Sequence, residues 1–362
     1  MRRIGCSGIK KPRLFGPGNK AVIITAGIFF TSTALVFSSP EVTYEPDSDS
    51  TEYIIDKTDL LSIRFYPLAK YNSLEIKGPV DRLSMQPNGT GSLGFGFNYK
   101  FLGFGFSIGI PASAESIEKY GKTRRFDFQM SYYGRKLAAD AYFQEYSGYY
   151  LANPSAVTTW NENYYPQSED LRIASIGGTV HYIFNSEKYS YKAAYLRNQI
   201  QNKSAGSFTI GVFAFYDEIR SSSGLIPDIL PDSVRRSINI KEFSAASIGI
   251  TGGYMYTFVI KGNFFVNVGL SPGFGYRNFI VKTMDGSWIY ANKLGTQIQT
   301  RIALGYEFRR FYLGATSSTI LRNFIHEDTE VNIGTGQVRL IIGTRFDVSG
   351  KRAGKYIKDI SE

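Results

Sequence analysis

The chain has one cysteine, Cys6, two histidines and, beyond residue 40, no apolar run long enough to cross a bilayer as a helix. A single cysteine near the N-terminus excludes a disulfide framework and leaves the rest of the chain without thiol chemistry. His181 and His326 stand alone, so they supply no clustered ligand set for a metal, and no cofactor is expected. The absence of long apolar runs excludes a helical membrane protein, which needs about 18 or more consecutive apolar residues. It does not exclude a transmembrane β-barrel, whose strands need only about 9 to 11 alternating residues and leave the mean hydropathy near that of soluble proteins.

The first 39 residues are read apart from the rest. Arg2, Arg3, Lys10, Lys11, Arg13 and Lys20 occur without an acid, Ala21 to Phe37 are apolar, and Ser38, Ser39 and Pro40 follow. This is the order of a cleaved export signal over 1–39, with an uncleaved inner-membrane anchor as the alternative. Removing it lowers the formal charge from +10 to about +4, and no nucleic-acid partner is implied. Residues 40–59 are acidic and poor in apolar pattern, and are expected to form a flexible periplasmic arm.

From Leu60 onward the chain alternates with period two. Leu93, Phe95, Phe97, Tyr99 and Phe101 point one way while Gly94, Gly96, Asn98 and Lys100 point the other, as side chains of a strand must. A content of 15% aromatic residues with 37 glycines suits a wall of bulky outward and small inward residues. Tight connections fall at 102–103, 134–136, 261–263 and 309–310. Long polar ones fall near 78–91, 111–123, 151–171, 219–242, 278–293 and 323–333. Taking every alternating run as a strand gives 13, whereas a bacterial barrel has an even number. The conflict lies in 185–218: if both 188–196 and 206–217 crossed, the loop after Arg220 would emerge on the side of the tight turns. The crossing is therefore assigned to Gly206–Asp217, and 185–204 becomes a periplasmic or lumen-directed insert with a short amphipathic helical stretch. The prediction is an all-β, antiparallel up-and-down transmembrane barrel of about 12 strands over 60–348, followed by a basic tail, 349–362. A phase change between Ile63/Phe65 and Leu74/Ile76 across Pro67 predicts a bulge in the first strand. Outward Phe101, Tyr132, Phe184, Phe258, Phe308 and Phe346 would form the periplasmic aromatic girdle.

Parity turns a polar set inward: Asp127, Gln129 and Ser131, with Asp140, Tyr142, Gln144 and Tyr146 on the hairpin partner. His181, Ser207, Asn267, Ser271, Gln297, Gln299, Arg301, Glu307, Gln337, Arg339 and Arg345 join them. Acids on some strands facing arginines on others would set a transverse field for polar solutes. The competing reading pairs these charges across the lumen and closes it, with Phe213, Phe215 and the tyrosines as filler. In the insert, Lys192, Arg197 and Ser204 are the candidates, whether the segment plugs the lumen or meets a periplasmic partner or anionic headgroups at the mouth. A lipid hydrolase would need a Ser and His on the outer wall, and neither histidine lies in such a pattern.

The stretches YGKTRRFDFQ (120–129), YYGRKLAADAYFQEYSGYYL (132–151), KYSYKAAYLRNQIQNKSAGSF (188–208) and GGYMYTFVIKGNFFVNVGLSPGFGY (252–276) are similar to recurring blocks of a Gram-negative family known only as a domain of unknown function. That family is regarded as outer-membrane β-barrels. The resemblance spans about 60–347 and implies a barrel in the outer membrane, in contact with its lipid, but no activity or site residue. The leading functional expectation is a non-enzymatic barrel serving as a narrow channel or transport component for small polar solutes. A closed scaffold or envelope-assembly barrel is the rival, and a membrane-lipid hydrolase the third.

Overall fold

The computed structural model describes residues 52–78, 82–100, 102–238, 240–261, 263–308, 310–326 and 328–348. Residues 1–39, read above as an export signal, residues 40–51 of the expected arm, Phe101 of the expected girdle and the basic tail lie outside them. The strands are β1 (Ile54–Asp56), β2 (Leu60–Lys77), β3 (Arg82–Pro87), β4 (Gly91–Tyr99), β5 (Leu102–Gly109), β6 (Arg124–Tyr133), β7 (Leu137–Leu151), β8 (Gln167–Ile183), β9 (Gln199–Gln201), β10 (Ala205–Arg220), β11 (Glu242–Ile260), β12 (Phe264–Lys282), β13 (Trp288–Glu307), β14 (Phe311–His326) and β15 (Thr329–Asp347). Three short helices, α1 (Ala114–Tyr120), α2 (Tyr191–Tyr195) and α3 (Asp232–Ser237), occupy connections.

Antiparallel ladders run from β7 through β8 and then from β10 to β15, and β15 closes on β2, with Asp347 opposite Leu60 and Glu330 opposite Lys77. The remaining wall differs at its two ends. Toward the long loops, β2 pairs β3 (Leu74 with Met85) and β3 pairs β7 (Met85 with Leu151), closing a ring of ten strands. Toward the tight turns, the first half of β2 pairs β4 instead, β4 pairs β5, and β7 pairs β6. At that level the twelve expected strands stand around the wall. The expected loop over 78–91 is thus partly the bridging strand β3.

The lipid-facing surface is clear in the tight-turn half. Phe126, Phe128, Met130, Ile176, Val180, Phe208, Ile210, Val212, Ile248, Ile250, Leu270 and Phe274 all project outward and are exposed. Tyr132, Phe184, Phe258, Phe308 and Phe346 ring the tight-turn rim, a position suited to aromatic rings at a headgroup boundary. No described helix is long and apolar enough to cross a membrane, and the strands do the crossing.

Strands of up to 20 residues are about twice what a bilayer requires, so the wall continues beyond the apolar belt. There its polarity inverts. Inward positions become apolar, with Leu74, Ile76, Leu83, Leu171, Ile173, Ile219, Phe243, Phe279, Phe324 and Ile333 in one buried cluster. Outward positions there carry ion pairs, as in Arg172–Glu145 (2.6 Å), Lys77–Glu330 (3.0 Å) and Lys282–Glu242 (3.0 Å), beside the exposed Trp288, Tyr290 and Ile325. This inversion replaces the bulge expected at Pro67: β2 keeps one parity from Ser62 to Ile76 with every even residue buried. Ile63 and Phe65 face lipid while Leu74 and Ile76 face the interior beyond it. The register irregularity is instead in β7, between Ser147 and Tyr149.

Two substitutions check the inversion by denaturant unfolding of the refolded protein. Val212→Arg, in the lipid belt, should cost about 2–4 kcal/mol, and Ile173→Ala, in the interior cluster, about 2–5 kcal/mol.

Candidate functional site

The lumen is occupied along its length, in layers. At the tight-turn mouth the insert between β8 and β10 folds inward as a plug. Ser190 caps α2 by accepting from the Ala193 amide at 3.0 Å, and this turn of helix buries Tyr191, Ala193, Ala194 and Tyr195. Gln201 staples the two ends of the insert, donating to the carbonyls of Lys188 (2.6 Å) and Lys203 (2.9 Å) and accepting from the Ser190 amide (3.0 Å). Ser204 receives the Val259 amide at 2.9 Å, and Ser207 the Asn185 amide at 2.9 Å, fixing the segment where it leaves and rejoins the wall. Lys192 is partly buried, and its carbonyl closes the helix by accepting from Leu196 and Arg197.

Arg197 is the central residue of the plug. Its φ of 64° is left-handed, a conformation that costs a non-glycine residue about 1–2 kcal/mol. The surroundings impose it. The guanidinium pairs with Glu307 at 2.6 Å and lies over the rings of Phe265 (4.4 Å) and Tyr312 (5.3 Å). Gly305 leaves the space, since a Cβ there would meet the Arg197 Cζ at 2.9 Å. Arg345 completes a buried triad. It pairs with Glu307 (2.8 Å) and donates twice to the Arg197 carbonyl (3.0 and 2.6 Å), while Arg64 and Asn98 donate to the Leu196 carbonyl (3.2 and 3.1 Å). Cations thus meet the free carbonyls at the end of a helix, where partial negative charge collects.

Residues 52–59 belong to this plug as well. β1 pairs β9, with Ile54 opposite Gln201 and Asp56 opposite Gln199, and the Lys57 amide donates to the Asn198 carbonyl at 3.1 Å. The described part of the arm is therefore a strand of the plug.

Above the plug is a small polar chamber of about 60 Å³, lined by Gln129, Ser131, Asp140, Gln144, Gln299, Arg301 and Gln337 among others. Its floor is the Arg301–Asp140 ion pair, reinforced by Ser131 (2.6 Å) and Tyr133 (2.7 Å) donating to Asp140, with the Arg301 guanidinium set on the rings of Tyr191 and Tyr195. His181 bonds Gln299 at 3.0 Å, and Arg339 donates to Gln337 at 2.9 Å. Asp127 binds Lys70, and accepts from Gln144 (2.6 Å) and Tyr146 (3.3 Å). Buried polar side-chain atoms of the inward wall without a protein partner include Gln144 Oε1 in the chamber lining and, on neighbouring positions outside that lining, His181 Nδ1, both amide atoms of Gln297 and the hydroxyls of Thr179, Ser247 and Ser271.

The chamber's roof was not legible in the sequence. Arg322 makes a two-pronged pair with Asp217, both bonds 2.8 Å and both side chains fully buried, and reaches Tyr142 (2.7 Å) and Thr335 (3.1 Å). Phe213 and Phe215 stack beside it. Beyond lies the apolar cluster, into which the 221–241 connection inserts Leu225, Ile226, Leu230, Val234, Ile238 and Ile240. The long loop is thus a second stopper. The lumen is sealed at both mouths, and of the two expectations for the inward charges this state matches paired closure.

Among the described residues no group of three or more His, Cys, Asp or Glu could hold a metal. The His326 side chain lies outside them. A cleft of about 590 Å³ on the long-loop face is lined by Tyr164, Asp170, Ser222, Ser223 and Ile229. Asp170 lies beyond Ile176, the outermost lipid-facing apolar residue of β8, and accepts the amides of Ser222 (2.8 Å) and Ser223 (3.0 Å) and the hydroxyls of Ser221 and Ser222. Burial pulls its carboxyl upward, but these hydrogen bonds outweigh it and hold the group below the usual carboxylate range.

Two outcomes follow. Glu307→Gln strands two buried guanidiniums and should cost about 3–5 kcal/mol, read by unfolding and by new trypsin cleavage at Arg197. A depressed carboxyl stabilises above its ordinary range and stops doing so as pH falls through the depressed value. Protease clipping at 219–231 should therefore begin only in strong acid in the native protein, and already at neutral pH in Asp170→Asn.

No curated protein matches the chain in sequence. Among solved structures, the outer membrane protease OmpT from Escherichia coli is similar at 7% identity and a TM-score of 0.35, over 82% of this chain and 100% of that one. The translocator domain of the autotransporter NalP from Neisseria meningitidis is similar at 10% identity and a TM-score of 0.32, over 79% and 88%. The P. putida toluene transporter TodX is similar at 7% and 0.22, over 80% and 90%. No activity is carried across from them. Over residues 45–346, nearly all of the layered barrel just described, the sequence matches Domain of unknown function (DUF4421), and the chain belongs to that family.

Proposed function

We propose that this chain is an outer-membrane transport component for small polar solutes, gated at both mouths and closed in the state described, with the tight turns and plug on the periplasmic side. The observation that carries this reading is the polar chamber between the two axial seals. A barrel needed only for its outer surface gains nothing from burying amide, hydroxyl and imidazole atoms without protein partners, each a desolvation cost of about 1–3 kcal/mol unless water satisfies it. Polar space bounded by Asp140, Arg301 and the glutamines, of a size to take up water, is what a passage for polar solutes requires.

The two seals are of different kinds, which supports gating over permanent closure. The outer seal is an apolar core pinned at its edge by the hydrogen bonds of Asp170 to residues 221–223. The periplasmic plug is held by ion pairs and hydrogen bonds, which apolar packing of the same volume would equal or exceed in stability. It is also joined to the N-terminal arm through β1 and β9, giving a periplasmic partner a strand to bind. A closed barrel acting as an envelope scaffold is the second reading, favoured by the same double seal.

Planar-bilayer recording separates them. The intact protein should be silent, and deletion of 188–204 should leave the outer seal in place with little current. The deletion combined with Leu225→Ser, Ile226→Ser and Leu230→Ser should conduct steadily. Silence in the combined variant, with the barrel shown folded by its gel mobility, would sink the transport reading and leave the scaffold.

A further inference from the structure

The wall has a seam. β5 rises and β6 descends beside it, yet no ladder joins them, although both lie in the apolar belt. They are latched only near the long-loop end. Arg125 of β6 lies against Gly109, where a Cβ would meet its Nη2 at 2.8 Å, and donates to the Gly91 carbonyl and to Ser92 Oγ (3.1 Å). Just below, Asp127 holds Lys70 of β2. From there to the tight turns, no hydrogen bond, ion pair or ring contact joins 102–108 to 128–133 among the described residues. The aromatic pairs Phe95–Phe106, Phe97–Phe104 and Phe126–Phe143 each stay on their own side.

The seam exposes the interior. Gly103, Gly105, Ser107 and Gly109 of β5 and Ser131 of β6 are inward by parity, and all are exposed. Outward of it stand Phe104, Phe106 and Ile108 on one bank and Phe126, Phe128 and Met130 on the other, with exposures of 57% to 73%. Hydrocarbon cannot satisfy the unpaired amides and carbonyls of such edges, so what fills the seam brings polar atoms to it.

Charge indicates which. The arginines of the plug, chamber floor and roof, Arg197, Arg345, Arg301 and Arg322, all face carboxylates. Those behind the seam do not. Arg339 has only Gln337 and the Tyr66 ring at 5.4 Å, and Tyr66 itself reaches the carbonyl of Phe106 on β5. Arg64, buried over Gly96, bonds only the Leu196 carbonyl, and Arg125 bonds only Gly91 and Ser92, leaving Nη1 without a partner. We propose that the seam between β5 and β6 is a lateral binding site for a phospholipid with an anionic phosphodiester headgroup, its acyl chains held on the phenylalanine banks and its phosphate turned inward toward Arg125 and Arg339.

The guanidinium fork matches phosphate oxygens, which also accept from the free amides of the strand edges. The axial mouths are sealed, so the ligand arrives from the bilayer. An inserted polypeptide strand is the competing occupant. It would satisfy both edges, but a single strand between an ascending and a descending one is parallel to one of them, and it gives no role to the unpaired guanidiniums. The site stands on the seam alone and does not require the gated-solute reading.

The test reconstitutes the full chain in bilayers of phosphatidylcholine with a minor share of phosphatidylglycerol, extracts it in mild detergent and measures retained lipid by mass spectrometry. Phosphatidylglycerol should be retained over phosphatidylcholine, and Arg125→Gln with Arg339→Gln should lower that retention about tenfold, while Arg124→Gln, on an outward position, should not. Gel mobility establishes folding of each variant. Equal retention of the two lipids, retention unchanged in the double variant, or displacement of phosphatidylglycerol by excess inorganic phosphate would each overturn the assignment. In a Cys6→Ser background, a fluorophore on Ser107→Cys should be quenched by lipid carrying a headgroup nitroxide. Absence of quenching would mean the seam is shut, and a polypeptide crosslinked to that thiol would replace lipid by a strand; either refutes the proposal.

Discussion

A backbone in hydrocarbon has no hydrogen-bonding partner except another strand, and this requirement orders the structure. It explains why the chain returns β15 to β2 across more than 250 residues, with Glu330 opposite Lys77 and Asp347 opposite Leu60. Beyond the apolar belt the requirement lapses, because water can satisfy an edge. There the ring contracts to ten strands through the short bridge of β3. Three strands must therefore fill, in the membrane half, the arc that β3 alone fills above. The seam lies within that widened arc, flanked by the latches at Arg125 and Lys70.

The same boundary governs the side chains. β2 and β8 each pass from a segment with lipid outside and polar groups inside to one with charged residues outside and an apolar core inside, whereas Trp288 and Tyr290 of β13 and Ile325 of β14 stay exposed at that end. On β2 a single unbroken parity carries Arg64 and Lys70 and then Leu74 and Ile76 to the interior. Stability is accordingly divided. The outer part is held as a soluble protein is held, by burial of Leu, Ile and Phe. The membrane part buries charged pairs, whose net worth over apolar packing is small.

The sequence made the wall legible because period two is local: any ten residues of β10 reveal which side Phe208 and Ser207 take. It made the inward identity of Asp140, Arg301 and Gln299 legible for the same reason. Pairing was not legible, since Arg322 and Asp217 lie 105 residues apart and no local pattern links them. Both also sit at the long-loop ends of β10 and β14, Asp217 as the last residue of the assigned crossing and Arg322 just before the expected connection at 323–333, where a lone charge reads as a strand end and not as lumen. The inversion is visible as the change of phase at Pro67 but reads as a bulge, because a change of surroundings and a slip of register produce the same string of residues. Parity did locate the crossing at Gly206–Asp217 and set the insert apart. The folding of that insert inward depends on Arg197 meeting Glu307 and Arg345, a relation only the closed barrel creates.

The plug is continuous with the wall at both ends, leaving β8 at Ile183 and rejoining it at Ala205 of β10, the neighbouring strand. It is an elongated hairpin turn folded back into its own barrel and tethered at both ends. A tethered segment of this length re-encounters its socket at an effective concentration in the millimolar range. A displaced plug would therefore return to its socket unless something held it, so the double tether sets how briefly the tight-turn mouth could stay uncovered.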